Sequence, residues 1–143
     1  MRNIGFIYAV AAAVTWGLVY AIDQKVLTKT SPLSLLFFSS VLAAVVTLPI
    51  WMLDSASVKT LFSSGKQNLG LIFISVLLAV LANFFIFSAI KTLNASTASI
   101  IEITYPIFVI LFSFLLFKQA ITWYFALGVA LIFVGTVIVI KFG

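Results

Sequence analysis

The sequence has no cysteine and no histidine, and only three of its 143 residues are acidic. Without cysteine the chain can form neither a disulfide nor a thiolate metal site, and without histidine it lacks the commonest metal ligand and proton shuttle. Its eight basic residues give a net charge of +5, but they are spread singly along the chain. No basic cluster marks a nucleic-acid interface or a lipid-headgroup site. We therefore expect no cofactor, no metal and no nucleic-acid partner.

Long apolar runs make up most of the chain. Hydrophobic residues account for 64% of the sequence and charged residues for 8%, and the mean hydropathy is +1.33. Apolar runs of about 20 residues are long enough to cross a bilayer as helices. We predict an all-α integral membrane protein, a single five-helix bundle with helices at residues 4–22, 31–52, 69–90, 95–117 and 123–140. Residues 54–68 are predicted to form a solvated loop in which Val58, Leu61 and Phe62 lay one short turn on the membrane surface.

The first run also resembles a signal peptide, because one arginine precedes an alanine-rich stretch. We favour a retained helix, since cleavage would leave four more apolar runs and no soluble body to export. Trp16 is predicted about 10 Å inside this helix, where its indole N–H needs a partner or a cavity. Tyr20 lies nearer the end, where tyrosine commonly marks the membrane interface. Packing of Trp16 against a neighbouring helix is as good an interpretation as contact with a substrate.

Glu102 is the only carboxylate well inside an apolar run. It follows a turn predicted at residues 91–94, and Asn83 precedes that turn by a similar number of residues. At about 1.5 Å per residue, both lie about 14 Å deep in a hydrocarbon core about 30 Å thick. An ionisable side chain at that depth is costly and marks a functional site, with Asn83 as the nearest polar group.

Pro106 follows Glu102 by one turn and predicts a kink there. Proline has no N–H to donate to the Glu102 carbonyl, so the helix can bend at the carboxylate. Tyr105 lies on the same broad face. The candidate substrate-binding residues are therefore Trp16, Tyr20, Asn83, Glu102 and Tyr105. The structural alternative is a protonated Glu102 that bonds to a neighbouring helix and only holds the bundle together.

The last predicted helix carries a seam of small residues. Gly128 and Gly135 are seven residues apart, which returns them to one face where another helix can approach closely. The predicted dimer interface consists of Gly128, Leu131, Ile132 and Gly135.

Basic residues are divided evenly between the two sides of the membrane. The amino-terminal side has Arg2, Lys59, Lys66 and Lys118, and the other side has Lys25, Lys29, Lys91 and Lys141. The positive-inside rule therefore assigns no orientation. This balance is expected of a protein that inserts both ways and pairs as an inverted dimer, so an antiparallel homodimer is preferred to a parallel one.

From residue 88 to residue 135 the sequence resembles the drug/metabolite transporter superfamily. The matching features are the run Asn94-Ala95-Ser96-Thr97-Ala98-Ser99, the proline of Tyr105-Pro106-Ile107, the turn Ile121-Thr122-Trp123 and the block 128–135. Trp16-Gly17 and Ser31-Pro32-Leu33 fit the start of the same five-helix EamA-like unit. The last helix is also similar to that of the small multidrug resistance exporters, in which such a block forms the dimer contact.

The chain departs from these families in three places. EamA-like proteins typically contain two such units in inverted orientation, and this chain has one, so the resemblance implies that a second copy completes the transporter. The small multidrug exporters carry a proton-binding glutamate in their first helix, where this chain has none, so Glu102 does not inherit that role. Gln119 stands where many EamA-like units have a glutamate.

These features together predict a half-size transporter that dimerises around a central cavity. Its expected substrate is a small metabolite or an organic cation, moved by alternating access, with efflux and proton coupling as the proposed mode. We expect it in the cytoplasmic membrane of a prokaryote. The alternatives are a flippase for lipid-linked sugars or phospholipids and a non-transporting assembly subunit. An enzyme is not predicted, because Glu102 has no nucleophile, base or metal set beside it in the sequence.

Overall fold

The computed structural model describes residues 2–142 and the side chains of residues 4–142. Over this range the chain forms helices and no strand. The helices are α1 (Arg2–Leu27), α2 (Pro32–Leu53), α3 (Ser55–Ser63), α4 (Lys66–Thr92), α5 (Ala95–Glu102), α6 (Tyr105–Phe117) and α7 (Trp123–Phe142). Five segments are long and apolar enough to cross a membrane, with α5 and α6 together forming the fourth. The predicted all-α fold with five spans is confirmed.

Three spans are longer than predicted, the last of them by only two residues at its end. The first continues to Leu27 instead of ending at residue 22, and the third begins at Lys66 instead of residue 69. Polar residues are tolerated in the last or first turn of a membrane helix, where their side chains reach the interface. The polar residues that we took as helix ends therefore lie within helices.

The connection at residues 54–68 contains the nine-residue helix α3, which is longer than the single short turn that we predicted around Val58, Leu61 and Phe62. Asp54 caps the amino end of α3, and its side chain accepts a hydrogen bond from the backbone N–H of Ser57. The Ser57 hydroxyl also donates to this carboxylate. These hydrogen bonds from the hydroxyl and the backbone of Ser57 stabilise the ionised form and hold the pKa of Asp54 below its usual range.

The fourth span is divided where we predicted a kink. The break falls at residues 103–104, and Pro106 is the second residue of α6, a position that suits its missing N–H. Both residues of the break bond back to α5, the N–H of Ile103 to the Ser99 carbonyl (2.9 Å) and that of Thr104 to the Ile101 carbonyl (3.2 Å). The predicted bend is therefore a boundary between two helices.

Burial is concentrated at one end of the bundle, where α1 and α4 end and α2 and α5 begin. Leu27, Ile90 and Ala98 have exposed fractions of only 1%, 2% and 2%. The other buried apolar residues of this cluster are Leu36, Ile86, Phe87 and Ala95. We call this cluster the packed end. Most other apolar side chains face outward, as expected of helices surrounded by lipid.

Polar contacts also join the helices at the packed end. The side chain of Gln24 in α1 accepts a hydrogen bond from the backbone N–H of Ala95, the first residue of α5 (2.7 Å). The Lys91 ammonium at the end of α4 donates to the Thr30 carbonyl in the turn after α1 (2.6 Å). The contacts fix α1 against α5, and α4 against the turn that leads into α2.

We expect Gln24→Ala to destabilise the protein by about 1–3 kcal/mol, because it leaves the buried N–H of Ala95 without its acceptor. The measurement is the midpoint of thermal unfolding in detergent. Gln67→Ala is the matched control, because Gln67 is exposed in the first turn of α4. Equal midpoints for the two variants would show that water replaces the Gln24 contact at no cost.

Candidate functional site

Glu102 is hydrogen-bonded to Tyr20. The phenolic O–H of Tyr20 donates to Oε2 of Glu102 over 2.7 Å, and both side chains are half-buried. Tyr20 lies about two turns before the end of α1, and Glu102 lies about two turns after the start of α5. Because α1 and α5 run antiparallel from the packed end, these positions share one depth, about 10 Å from the helix ends.

The carboxylate lies at the helix boundary itself, since Glu102 is the last residue of α5. Proline at position 106 gives no N–H to the Glu102 carbonyl, which in a continuous helix would receive one from the residue four positions later. The same residue therefore carries an ionisable side chain and a backbone acceptor released from the helix ladder. Broken membrane helices of this kind bind ions or polar groups at their exposed ends.

Trp16 extends the site along α1. Its ring centroid lies 5.6 Å from that of Tyr20, with the two planes tilted by 56°. Half of the Trp16 surface is exposed. The structure therefore brings three of the predicted residues into a continuous row of indole, phenol and carboxylate.

The other two predicted residues do not join this row by a hydrogen bond. The amide of Asn83 donates to the Ala79 carbonyl of its own helix (2.8 Å), and Tyr105 is exposed at the start of α6. Over residues 4–142, the partner of Glu102 is Tyr20 and not Asn83, and no basic side chain forms an ion pair with it.

The five apolar spans agree with the comparison to known families. The model of the EamA-like transporter family matches residues 3–141. The chain belongs to this family. No curated protein and no solved structure matches it. The resemblance predicted from the residues is confirmed, and 143 residues with five spans form one half-size EamA-like unit.

The seam on α7 of this EamA-like unit is only partly used within the chain. A Cβ atom added to Gly128 or Gly135 would meet nothing within 4 Å, and Leu131 is 74% exposed. Ile132 is half-buried and lies one turn from Thr136, which is buried and donates to the Ile100 carbonyl of α5 (3.2 Å). The α5-facing surface of α7 thus includes Ile132, whereas Gly135 and Leu131 face away from the chain.

Two crevices lie between α6 and α7. An apolar one of about 210 Å³ is lined by Ile107, Ile110, Leu111, Ile121, Ala126 and Val129. Its neighbour, of about 120 Å³, includes Ser113 and Gln119. Neither crevice is lined by Trp16, Tyr20 or Glu102, so these two cavities of the EamA-like unit lie apart from its carboxylate.

Two polar residues of α1 were missed by the sequence analysis. Asp23 is 8% exposed, and Gln24 caps α5. We took both as the polar flank of a helix that ended at residue 22. The spacing of Trp16, Tyr20, Asp23 and Leu27 follows one face of a helix, and this pattern was the available signal.

Proposed function

We propose that two copies of this chain form a transporter in which the row of Trp16, Tyr20 and Glu102 from each copy lines a central cavity. The observation that supports this proposal most directly is the hydrogen bond between Tyr20 and Glu102 at a break in a membrane helix. A glutamate that only joins two helices can do so from within a continuous helix. A binding site gains from the break, because the break makes backbone polar groups available at a depth where they are otherwise absent.

The chemistry of the row favours a cationic substrate. Glu102 has no ion-pair partner in the described chain, so a cation can supply the missing charge. Trp16 is half-exposed beside Tyr20, and aromatic faces attract organic cations. We therefore propose a small organic cation, or a metabolite with an amino group, as the transported molecule.

Proton coupling follows from competition for the same carboxylate. A bound cation favours the ionised form of Glu102, whereas a proton neutralises the carboxylate and displaces the cation. By linkage, the proton weakens cation binding by the same factor by which the cation weakens proton binding. Exchange of the proton for the cation, as the binding site opens first to one side of the membrane and then to the other, is sufficient for proton-driven export.

A second copy is proposed because one protomer does not surround the row. Trp16 is half-exposed and the crevices between α6 and α7 lie elsewhere, so another surface must complete a cavity. The equal division of basic residues between the two sides favours a partner in the opposite orientation.

The test of transport uses purified protein in liposomes with an imposed pH gradient. Tetraphenylphosphonium and ethidium are suitable probes, because both are aromatic cations whose movement can be followed by isotope or fluorescence. We expect uptake that needs the gradient and saturates with probe concentration. An assembly subunit would move neither probe, and a flippase would instead accelerate the transbilayer movement of a fluorescent phospholipid in the same vesicles.

The test of orientation uses reporters fused to either terminus. We expect each terminus to be detected on both faces of the membrane, because the basic residues give no preference. Adding two lysines to one side should fix the orientation and lower the activity. A single orientation in all molecules of the parent protein would exclude the inverted homodimer and would favour a parallel dimer or another partner.

A further inference from the structure

Asp23 is the most buried charged side chain that the proposed mechanism does not use. It lies in α1, one turn before Leu27, and 8% of its surface is exposed. Its Oδ2 atom is buried and has no hydrogen-bond partner among the atoms that the structure describes. Buried carboxylate oxygens normally have such partners, so this one requires an explanation.

The groups around Asp23 do not neutralise it. On α1 the nearest titratable residue of its face is Tyr20, which donates to Glu102 of α5, and Lys25 is exposed. On α4 the titratable residue at this end is Lys91, whose ammonium donates a hydrogen bond to the Thr30 carbonyl. The sequence of α2 contains no titratable side chain. Over residues 4–142 no ion pair joins Asp23 to a base.

Asp23 also lies at the packed end, where its state has structural consequences. Leu27, one turn further along α1, is 1% exposed, and the neighbouring residue Gln24 joins α1 to Ala95 of α5. An ionised carboxylate here would keep its Oδ2 atom away from water and from any cation, which is unfavourable. A protonated carboxyl can remain there because it is neutral.

We propose that Asp23 is a second proton-binding site, distinct from Glu102, and that its protonation keeps the packed end closed. Loss of the proton favours separation of α1 from α5, because the separation lets water reach the ionised carboxylate. This inference rests on the proposed function in one respect, namely that opening of the packed end is a step of transport. The proton site itself can be tested without a transported substrate.

The proposal predicts a definite dependence on pH. If opening releases one proton, the ratio of open to closed molecules rises by up to about tenfold per pH unit in the range where Asp23 titrates. Asp23→Asn keeps the shape of the side chain and cannot ionise, so this variant should remain closed at every pH. Glu102→Gln should leave the dependence in place.

The chain has no cysteine, so a single cysteine can report opening. Ala98→Cys places it at a position that is 2% exposed at the packed end, and Ser96→Cys places it at an exposed position on the same turn of α5. Ser96→Cys is close to isosteric, and Ala98→Cys adds one sulfur atom at the packed end. Maleimide labelling is measured for each in nanodiscs from pH 5 to pH 9, and the ratio of the two rates cancels the intrinsic pH dependence of the thiol.

We expect this ratio to rise with pH toward tenfold per unit in the parent and in Glu102→Gln, and to stay low in Asp23→Asn. A ratio that does not change with pH in the parent overturns the proposal. The same rise in Asp23→Asn as in the parent also overturns it. Absence of transport in the liposome assay, with this labelling pattern intact, would refute the proposed function and leave the proton site standing.

Infrared spectroscopy keeps the test valid if Asp23→Asn does not fold. Of the three acidic side chains, Asp54 is held ionised by Ser57, so Glu102→Gln leaves Asp23 as the remaining candidate for a protonated carboxyl near neutral pH. We expect the carbonyl stretch of protonated Asp23 at low pH. This band should disappear over the pH range in which labelling of Ala98→Cys increases. No such band at a pH where the position is protected would overturn the proposal.

Discussion

Glu102→Gln is expected to abolish proton-driven uptake of cations and to leave the protein folded. The glutamine oxygen can still accept the Tyr20 hydrogen bond, and the side chain keeps its size, so the contact between α1 and α5 survives. It cannot ionise, so it neither attracts a cation nor exchanges a proton. Loss of one charge-assisted interaction should weaken probe binding about ten- to a hundredfold, and uptake should fall to that of empty liposomes.

Asp54→Asn is the matched control for this experiment. It also converts a carboxylate to an amide, but at an exposed helix cap, where asparagine is as good as aspartate. Its uptake should equal that of the parent. If Glu102→Gln binds and transports with an unchanged pH profile, Glu102 only holds the bundle together and the substrate is neutral. Tyr20→Phe separates the roles further, because it removes the hydrogen bond and keeps the charge.

The fold could be predicted because the length of an apolar run is almost enough to identify a membrane-spanning helix. Five apolar runs must become five spans, since backbone groups in lipid have to be paired internally. The ends were less predictable. A polar residue near the membrane surface costs little, so Asp23 and Gln24 can belong to a helix as easily as to a loop. The position of Leu27, buried in the packed end, decides the matter, and it depends on contacts with other helices.

The partner of Glu102 shows where sequence reasoning stops. Depth can be counted along a helix, and that count placed Asn83 level with Glu102. Which faces meet depends on helix rotation, which no single sequence fixes. Asn83 satisfies its amide on its own helix, as short polar side chains in helices often do. Tyr20 was assigned to the interface because α1 was expected to end five residues too early, and the longer helix places it level with the carboxylate.

Gly135→Leu is expected to weaken dimerisation about ten- to a hundredfold without affecting the protomer. A side chain at this position would meet nothing within 4 Å of its Cβ in the chain, so the fold has room for it. If the seam is an intersubunit contact, the partner occupies that room, and overpacking there costs about 1–3 kcal/mol of association. The measurement is the dimer fraction, by energy transfer between labelled copies, as the protein is diluted in lipid.

Gly70→Leu is the control for this variant, because a Cβ at Gly70 in α4 is equally unobstructed. Both variants should unfold at the parent's temperature, and only Gly135→Leu should shift the dimer equilibrium. Equal dimerisation of the parent and Gly135→Leu would mean that the seam faces lipid. A loss confined to Gly70→Leu would place the interface on α4 and would leave the exposed Leu131 without a protein partner.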